Sequence, residues 1–189
     1  MKIDDDIVFL DLNRFDDFIR YIKSNPDKNF IIPNIINHGV SMFYNLKNGL
    51  IPGDFLTKYK NKKNPNETYF CFKDGRSAIK IHNYFLDNIQ KFVNNLNEPI
   101  SLDGYKTSIC FFGVSKKNFA KFLPSIIVAE TSVYNTFHFD DERYIYGLKG
   151  NYWYPRFIVS HYGFGPQRKK RSFKRFKKKI IIRYKELNN

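Results

Sequence analysis

Phe139-Asp140-Asp141-Glu142-Arg143-Tyr144-Ile145-Tyr146-Gly147-Leu148-Lys149-Gly150-Asn151-Tyr152-Trp153-Tyr154-Pro155-Arg156-Phe157-Ile158-Val159 is the stretch around which the chain is organised. It is aromatic and β-prone, with a Gly-Leu-Lys-Gly break in its middle and a Tyr-Pro exit. Its composition predicts two strands, Phe137–Tyr146 and Tyr154–Tyr162, joined by a turn. The densest positive charge in the protein follows, beginning at Arg168. An aromatic platform beside a basic segment points to a surface that meets a polyanion.

Upstream, Asn13–Ser24 places Phe15, Phe18, Ile19 and Ile22 at helical spacing and stops at Asn25-Pro26. A second short helix is predicted over Val40–Lys47, ended by Asn48-Gly49. Between them Phe30–Ile36 is apolar and interrupted by Pro33. Lys58–Asn66 is a polar, basic loop that contains Lys62 and Lys63. Thr68–Lys73 reads as a strand and Asp74-Gly75 as a turn. Ser77 is placed to cap a long helix over Ala78–Leu96, with the stripe Ile79, His82, Phe85, Ile89, Phe92 and Leu96. A strand over Tyr105–Val114 follows, then a short helix from Ser115 to Leu123, stopped by Pro124. Ser125–Ala129 is apolar and β-branched, and Lys179–Tyr184 reads as a last strand. This order predicts an α+β fold with a mostly antiparallel sheet backed by helices. A helical N-terminal lead-in, residues 1–66, precedes an α+β domain over 67–189, with a basic loop at 163–179 before the last strand.

Charge narrows the function. The 189 residues hold 32 Lys+Arg against 18 Asp+Glu, a net of +14. Eleven of those cations lie between Arg168 and Lys185 with no acid among them, so the remainder, 21 against 18, is close to balance. An excess this local fits phosphate neutralisation and counterion release. The candidate nucleic-acid contacts are Arg168, Lys169, Lys170, Arg171, Lys174, Arg175, Lys177, Lys178 and Lys179, with Lys149, Arg156, Lys62 and Lys63 at the rim. Phe173 and Phe176, inside the charge run, either anchor it to protein or stack on bases. Tyr105, Tyr144, Tyr152 and Trp153 are the other candidates for packing or stacking.

Several classes find no support. No apolar run approaches the roughly 20 residues that cross a bilayer, so no membrane partner is expected. Asp4-Asp5-Asp6 is unlike a secretory or transit peptide. Cys71 and Cys110 are too few for a disulfide framework and read as buried thiols. His38, His82, His138 and His161 lie far apart, with no ligand spacing between them. Asp140-Asp141-Glu142 reads as a solvated turn. Gly147-Leu148-Lys149-Gly150 has the spacing of neither nucleotide fingerprint. No cofactor, no metal and no catalytic residue is expected, and the protein reads as non-enzymatic.

The order of elements resembles the large-subunit ribosomal protein L five family, which binds 5S ribosomal RNA in the central protuberance. Thr68–Lys73, Asp74-Gly75, Ala78–Leu96 and Glu98-Pro99-Ile100 follow the family's strand, turn, long helix and Pro-containing entry. Lys106–Val114 and Asn118–Leu123 take the places of its next strand and short helix. Phe139-Asp140, Tyr144, Gly147-Leu148-Lys149 and Tyr154-Pro155 reproduce its most characteristic stretch in order, and Lys179–Tyr184 matches its closing strand. The segment between Pro99 and Phe122 is shorter than in the family, and that between Phe157 and Lys179 longer and more basic. Residues 1–66 match only loosely. The resemblance implies a structural constituent of the large ribosomal subunit with 5S and large-subunit ribosomal RNA, neighbouring ribosomal proteins and small-subunit head proteins as partners. The Asn-, Lys-, Ile-, Phe- and Tyr-rich composition adds a mitochondrial ribosome, in the matrix, as the expected location. The alternatives are a viral or phage nucleic-acid-binding structural protein, and a small RNA-modifying enzyme such as an ADP-ribosyl transferase using His38, Asn48-Gly49-Leu50 and Glu130.

Overall fold

The computed structural model describes residues 1–55, 61–68, 74–105, 107, 110–122, 148–163, 165–169 and 171–187. In chain order these hold β1 (Lys2–Ile3), β2 (Ile7–Leu10), a 3-10 turn at Leu12–Arg14, α1 (Phe15–Ser24), β3 (Ile31–Ile36) and α2 (Gly39–Lys47). Next come α3 (Pro65–Thr68), α4 (Gly75–Asp87), α5 (Ile89–Val93), β4 (Ile100–Ser101), β5 (Phe111–Phe112) and α6 (116–122). The chain ends with β6 (Tyr152–His161), α7 (Gly165–Arg168) and α8 (Arg171–Leu187).

β6 is the spine. β3 lies parallel to it from Ile31↔Tyr152 to Ile36↔Ser160. β2 runs antiparallel along the other edge, from Ile7↔His161 to Leu10↔Val159, and β4 pairs antiparallel at Ile100↔Trp153. β1 and β5 form a separate antiparallel pair, and Gly113 bridges to Ile31. The class is α+β, and among the described residues three of the four strand pairings are antiparallel. Pro33 does not end its apolar run. The register jumps there, from Pro33↔Tyr154 to Asn34↔Ile158, and the skipped residues of β6 include Pro155. Two prolines without N–H groups thus fall where the ladder is interrupted, as strand prolines must.

Both faces of β6 are covered, so it reads as a nearly continuous apolar run rather than an alternation. On one face Ile158, Ile36 and Phe9 pack with Ile81 and Phe85 of α4 and with Phe173, Ile180 and Tyr184 of α8. On the other, Val159, Phe157 and Ile35 pack with Phe18 and Ile22 of α1 and with Phe111. Phe18 is fully buried and its ring stacks on Phe157 at 4.7 Å between centroids.

Several expectations are met: α1, α2 and β6 lie where the periodicity put them, and Ser115 accepts the Asn118 N–H at 3.2 Å at the start of α6. Others are corrected. The long helix breaks at Asn88, whose side chain donates to the Tyr84 carbonyl at 2.9 Å, an Asn competing with the helical ladder. α5 ends at Val93, and Leu96 is exposed. The cap of α4 is Asp74, not Ser77. Its carboxylate accepts from the N–H groups of Arg76 and Ser77 at 3.0 and 3.3 Å. Thr68 closes α3 instead of opening a strand; 69–73 lie outside the described residues. Among the described residues of Tyr105–Val114, Phe111–Phe112 is strand; 106, 108 and 109 lie outside them. Ser125–Ala129 and the strand expected at Phe137–Tyr146 also lie outside the described residues.

The largest correction is at the C-terminus. The expected basic loop 163–179 and last strand Lys179–Tyr184 are mostly helix, α7 and α8. Phe173, Ile180 and Tyr184 recur at helical spacing and are fully or almost fully buried, which holds the charged run in a helix. The boundary expected between residues 66 and 67 does not separate two cores either, because β2 and β3 pair directly with β6. Among the described residues no helix is long and apolar enough to cross a membrane.

Candidate functional site

Because β3 and β6 are parallel, their carboxyl ends lie at the same edge of the sheet, the usual place for a ligand site in such an arrangement. Three segments converge there. Just past β3, Asn37 takes a left-handed φ of 68°, a conformation Asn tolerates better than most residues. Its side-chain amide pairs reciprocally with Gln167 of α7, at 3.0 and 3.1 Å, which ties the turn before His38 to the start of the basic region. The Asp4-Asp5-Asp6 turn carries the chain from β1 to β2. Asp4 donates its N–H to the Cys110 carbonyl at 3.0 Å, and the Asp6 carbonyl accepts from Tyr162 at 2.9 Å. At the end of β6 stands His161.

The side chains then meet. His161 Nε2 is 3.0 Å from Asp6 Oδ1, and Arg168 reaches Asp6 Oδ2 at 3.3 Å. Ligand atoms of Asp4, Cys110 and His161 lie within 4.8 Å of one another. Asp4 also pairs with Lys2 at 2.8 Å, while Asp5 is exposed. Burial works against a charge on His161, but its hydrogen bond to Asp6 and its contact with Cys110 overcome that and raise its pKa to about 9. Asp6 is also opposed by burial, yet His161 and Arg168 hold its carboxyl below the usual range. Burial, with a smaller effect of the charged His161, lowers His38 to about 3. Burial likewise lowers His82 to about 4. One imidazole of the three is therefore charged at neutral pH and two are neutral.

A second network backs the site from the opposite face of β6. Tyr184 of α8 is 2.7 Å from Ser160 Oγ and 2.8 Å from His82 Nδ1, and His82 Nε2 is 2.9 Å from the Tyr162 carbonyl. It pins α4 and α8 to the residues on either side of His161.

The predicted contacts fall into two groups. Arg168, Lys169, Arg171, Lys174, Arg175, Lys177, Lys178 and Lys179 are exposed on α7 and α8 and in the turn between them, and Lys170 lies outside the described residues. Lys149, Lys62 and Lys63 are exposed on other segments. Arg156 is engaged within the protein, with the Asn97 carbonyl at 3.2 Å and with Glu98. The aromatic platform is largely core. Trp153 is fully buried, stacks on Tyr44 at 4.9 Å and donates to Ser41 Oγ at 3.2 Å. The ammonium of Lys28 lies 4.6 Å from the ring centroid of Tyr152. Phe173 packs on Tyr162 rather than presenting its ring to solvent. Tyr105 is half-buried; Tyr144, His138, Cys71, Glu130 and Asp140–Glu142 lie outside the described residues.

The sequence reading did not assemble Asp4, Asp6, Cys110 and His161. Its available signals were the acid triplet beside a short apolar strand and a His closing a long one. No family model, curated protein or solved structure matches the chain.

Proposed function

We propose that the protein binds a divalent cation together with a phosphate-bearing ligand, at the carboxyl ends of β3 and β6. The observation that carries this reading is the convergence of Asp4, Cys110 and His161, whose ligand atoms lie within 4.8 Å of one another, with the Asp6–Arg168 pair beside His161. A carboxylate, a thiol and an imidazole form a donor set that suits Zn²⁺, and binding the ion requires His161 to give up the proton it shares with Asp6. A site with three protein ligands keeps a fourth position open to water or to a ligand oxygen such as that of a phosphate. Arg168, half exposed and 3.3 Å from Asp6, supplies a cation beside this cluster for such phosphates. A cation and an arginine on a diphosphate stabilise it as a leaving group, which is group-transfer chemistry. The sequence alone pointed to a non-enzymatic protein; group transfer is the step that this reading adds. The test is calorimetric titration with Zn²⁺ and a nucleoside diphosphate, each with and without the other. Mutual tightening, abolished in an Asp4→Asn variant that melts like the parent, is expected. Diphosphate binding indifferent to both Zn²⁺ and Asp4→Asn would refute the reading.

A second reading is favoured by the sidedness of α8. Its buried stripe leaves Arg171, Lys174, Arg175, Lys177, Lys178 and Lys179 exposed on a helix that the fold already orders. That face supports binding to RNA. The resemblance to the L five family extends the proposal to 5S and large-subunit ribosomal RNA of a mitochondrial ribosome, although its closing strand is here part of α8. Sedimentation with the large ribosomal subunit, and crosslinks from α8 to its RNA, are the expected results. Migration as a free protein at low salt would sink this reading.

A further inference from the structure

A groove of about 640 Å³ lies between α5 and the segment running from β2 into the 3-10 turn. Phe9, Ile89, Val93 and Leu187 give it apolar walls. Asp11 also lines it. Asp11 is 5% exposed, and its Oδ2 has no hydrogen-bond partner among the described residues. A carboxylate oxygen taken out of water without a donor is costly, and such a group marks a place where a donor is missing. The lining holds one cation, Arg14, and its guanidinium is engaged with Asp17 at 3.3 Å. Burial raises the Asp11 pKa, and the charge of Arg14 with the backbone N–H groups of Asn13 and Arg14 opposes it only in part. The groove, of a size ordinary for small-molecule sites, therefore leaves one oxygen of the Asp11 carboxylate, Oδ2, without a donor in largely apolar surroundings.

We propose that this groove binds a small aliphatic amine, with the ammonium donating to Asp11 and the alkyl stem along the apolar walls. The site is independent of the cluster at Asp6 and His161, which lies at the opposite end of β2.

The test is an NMR titration of the full chain with hexylamine, with hexanol and hexanoate as controls. Hexylamine is expected to shift the amide resonances of Asp11, Leu12, Val93 and Asn94 saturably. Hexanol should bind at least about tenfold more weakly, the weight of one charge-assisted hydrogen bond, and hexanoate not at all. Asp11→Asn, close in shape, should weaken hexylamine by a similar factor. Val93→Trp, which fills the groove and leaves Asp11 in place, should abolish the shifts. Absence of saturable shifts overturns the proposal. So does equal binding of hexanol and hexylamine, which would mean apolar adsorption alone. Unchanged hexylamine affinity in Asp11→Asn overturns it as well.

Discussion

Replacing Asp6 by Asn tests the electrostatics of the sheet edge directly. In the native protein His161 is 2% exposed and its imidazole is raised from 6.5 to about 9, chiefly through Asp6 once burial is overcome. At about 1.4 kcal/mol for each tenfold change in proton affinity, that displacement is worth about 3 kcal/mol at most. The lowered pKa of Asp6 is the same interaction seen from its partner and is not added. A group whose folded pKa lies above its unfolded value contributes fully below the unfolded value. Its contribution fades as pH rises through the folded one. The stabilisation from the pair is therefore complete below about pH 6.5 and is lost as pH rises through about 9. Urea unfolding followed by circular dichroism, on the parent and Asp6→Asn over this range, isolates the pair from the lysines and tyrosines that also titrate. The stability difference between the two proteins should shrink by about 3 kcal/mol from the neutral to the alkaline side. A difference that stays constant with pH would refute the assignment of the charge to His161.

Phe18→Ala should cost about 4 kcal/mol in urea unfolding, because Phe18 is fully buried among Phe111, Tyr154 and Phe157 and α1 has little room to collapse into the void. Acidification below about pH 6.5 should destabilise the protein progressively, because buried His82 and His38, lowered to about 4 and 3, take up protons more readily when unfolded; His82→Gln should flatten part of that slope in acid melts. Asp74→Ala, which removes the acceptor at the start of α4, should lower stability by about 1 kcal/mol in the same urea assay. Replacing Lys174 and Lys178 together by Gln should weaken polyanion binding and reduce the salt slope by about two, while leaving the melting temperature unchanged, since both side chains are exposed.

Local pattern made much of the architecture legible. Phe15, Phe18, Ile19 and Ile22 define α1 by period alone, Ser115 marks the start of α6, and Tyr154–Tyr162 is almost the whole of β6. α8 was misread because two signals conflicted. A run of like charges argues for a solvated loop, and Ile180-Ile181-Ile182 argues for a strand. The deciding helical stripe of Phe173, Ile180 and Tyr184 becomes visible only once its seat on Ile158 and Phe85 is known. Trp153 stayed open between packing and stacking for a similar reason, as did the aromatic stretch that contains Tyr154. Aromatic content carries no record of which rings face inward, and packing on Phe18 and Tyr44 decides it.

The candidate site divides along the same line. The sequence determined the ingredients: an acid triplet near one end, a dense block of cations near the other, and isolated histidines between them. That they form a site was decided by the parallel pairing of β3 with β6 and the antiparallel pairing of β2 with β6. Those pairings bring Asp6 to 3.0 Å from His161. Strand pairing is a long-range choice, fixed by which apolar faces α1, α4 and α8 cover together, and no spacing along the chain encodes that distance.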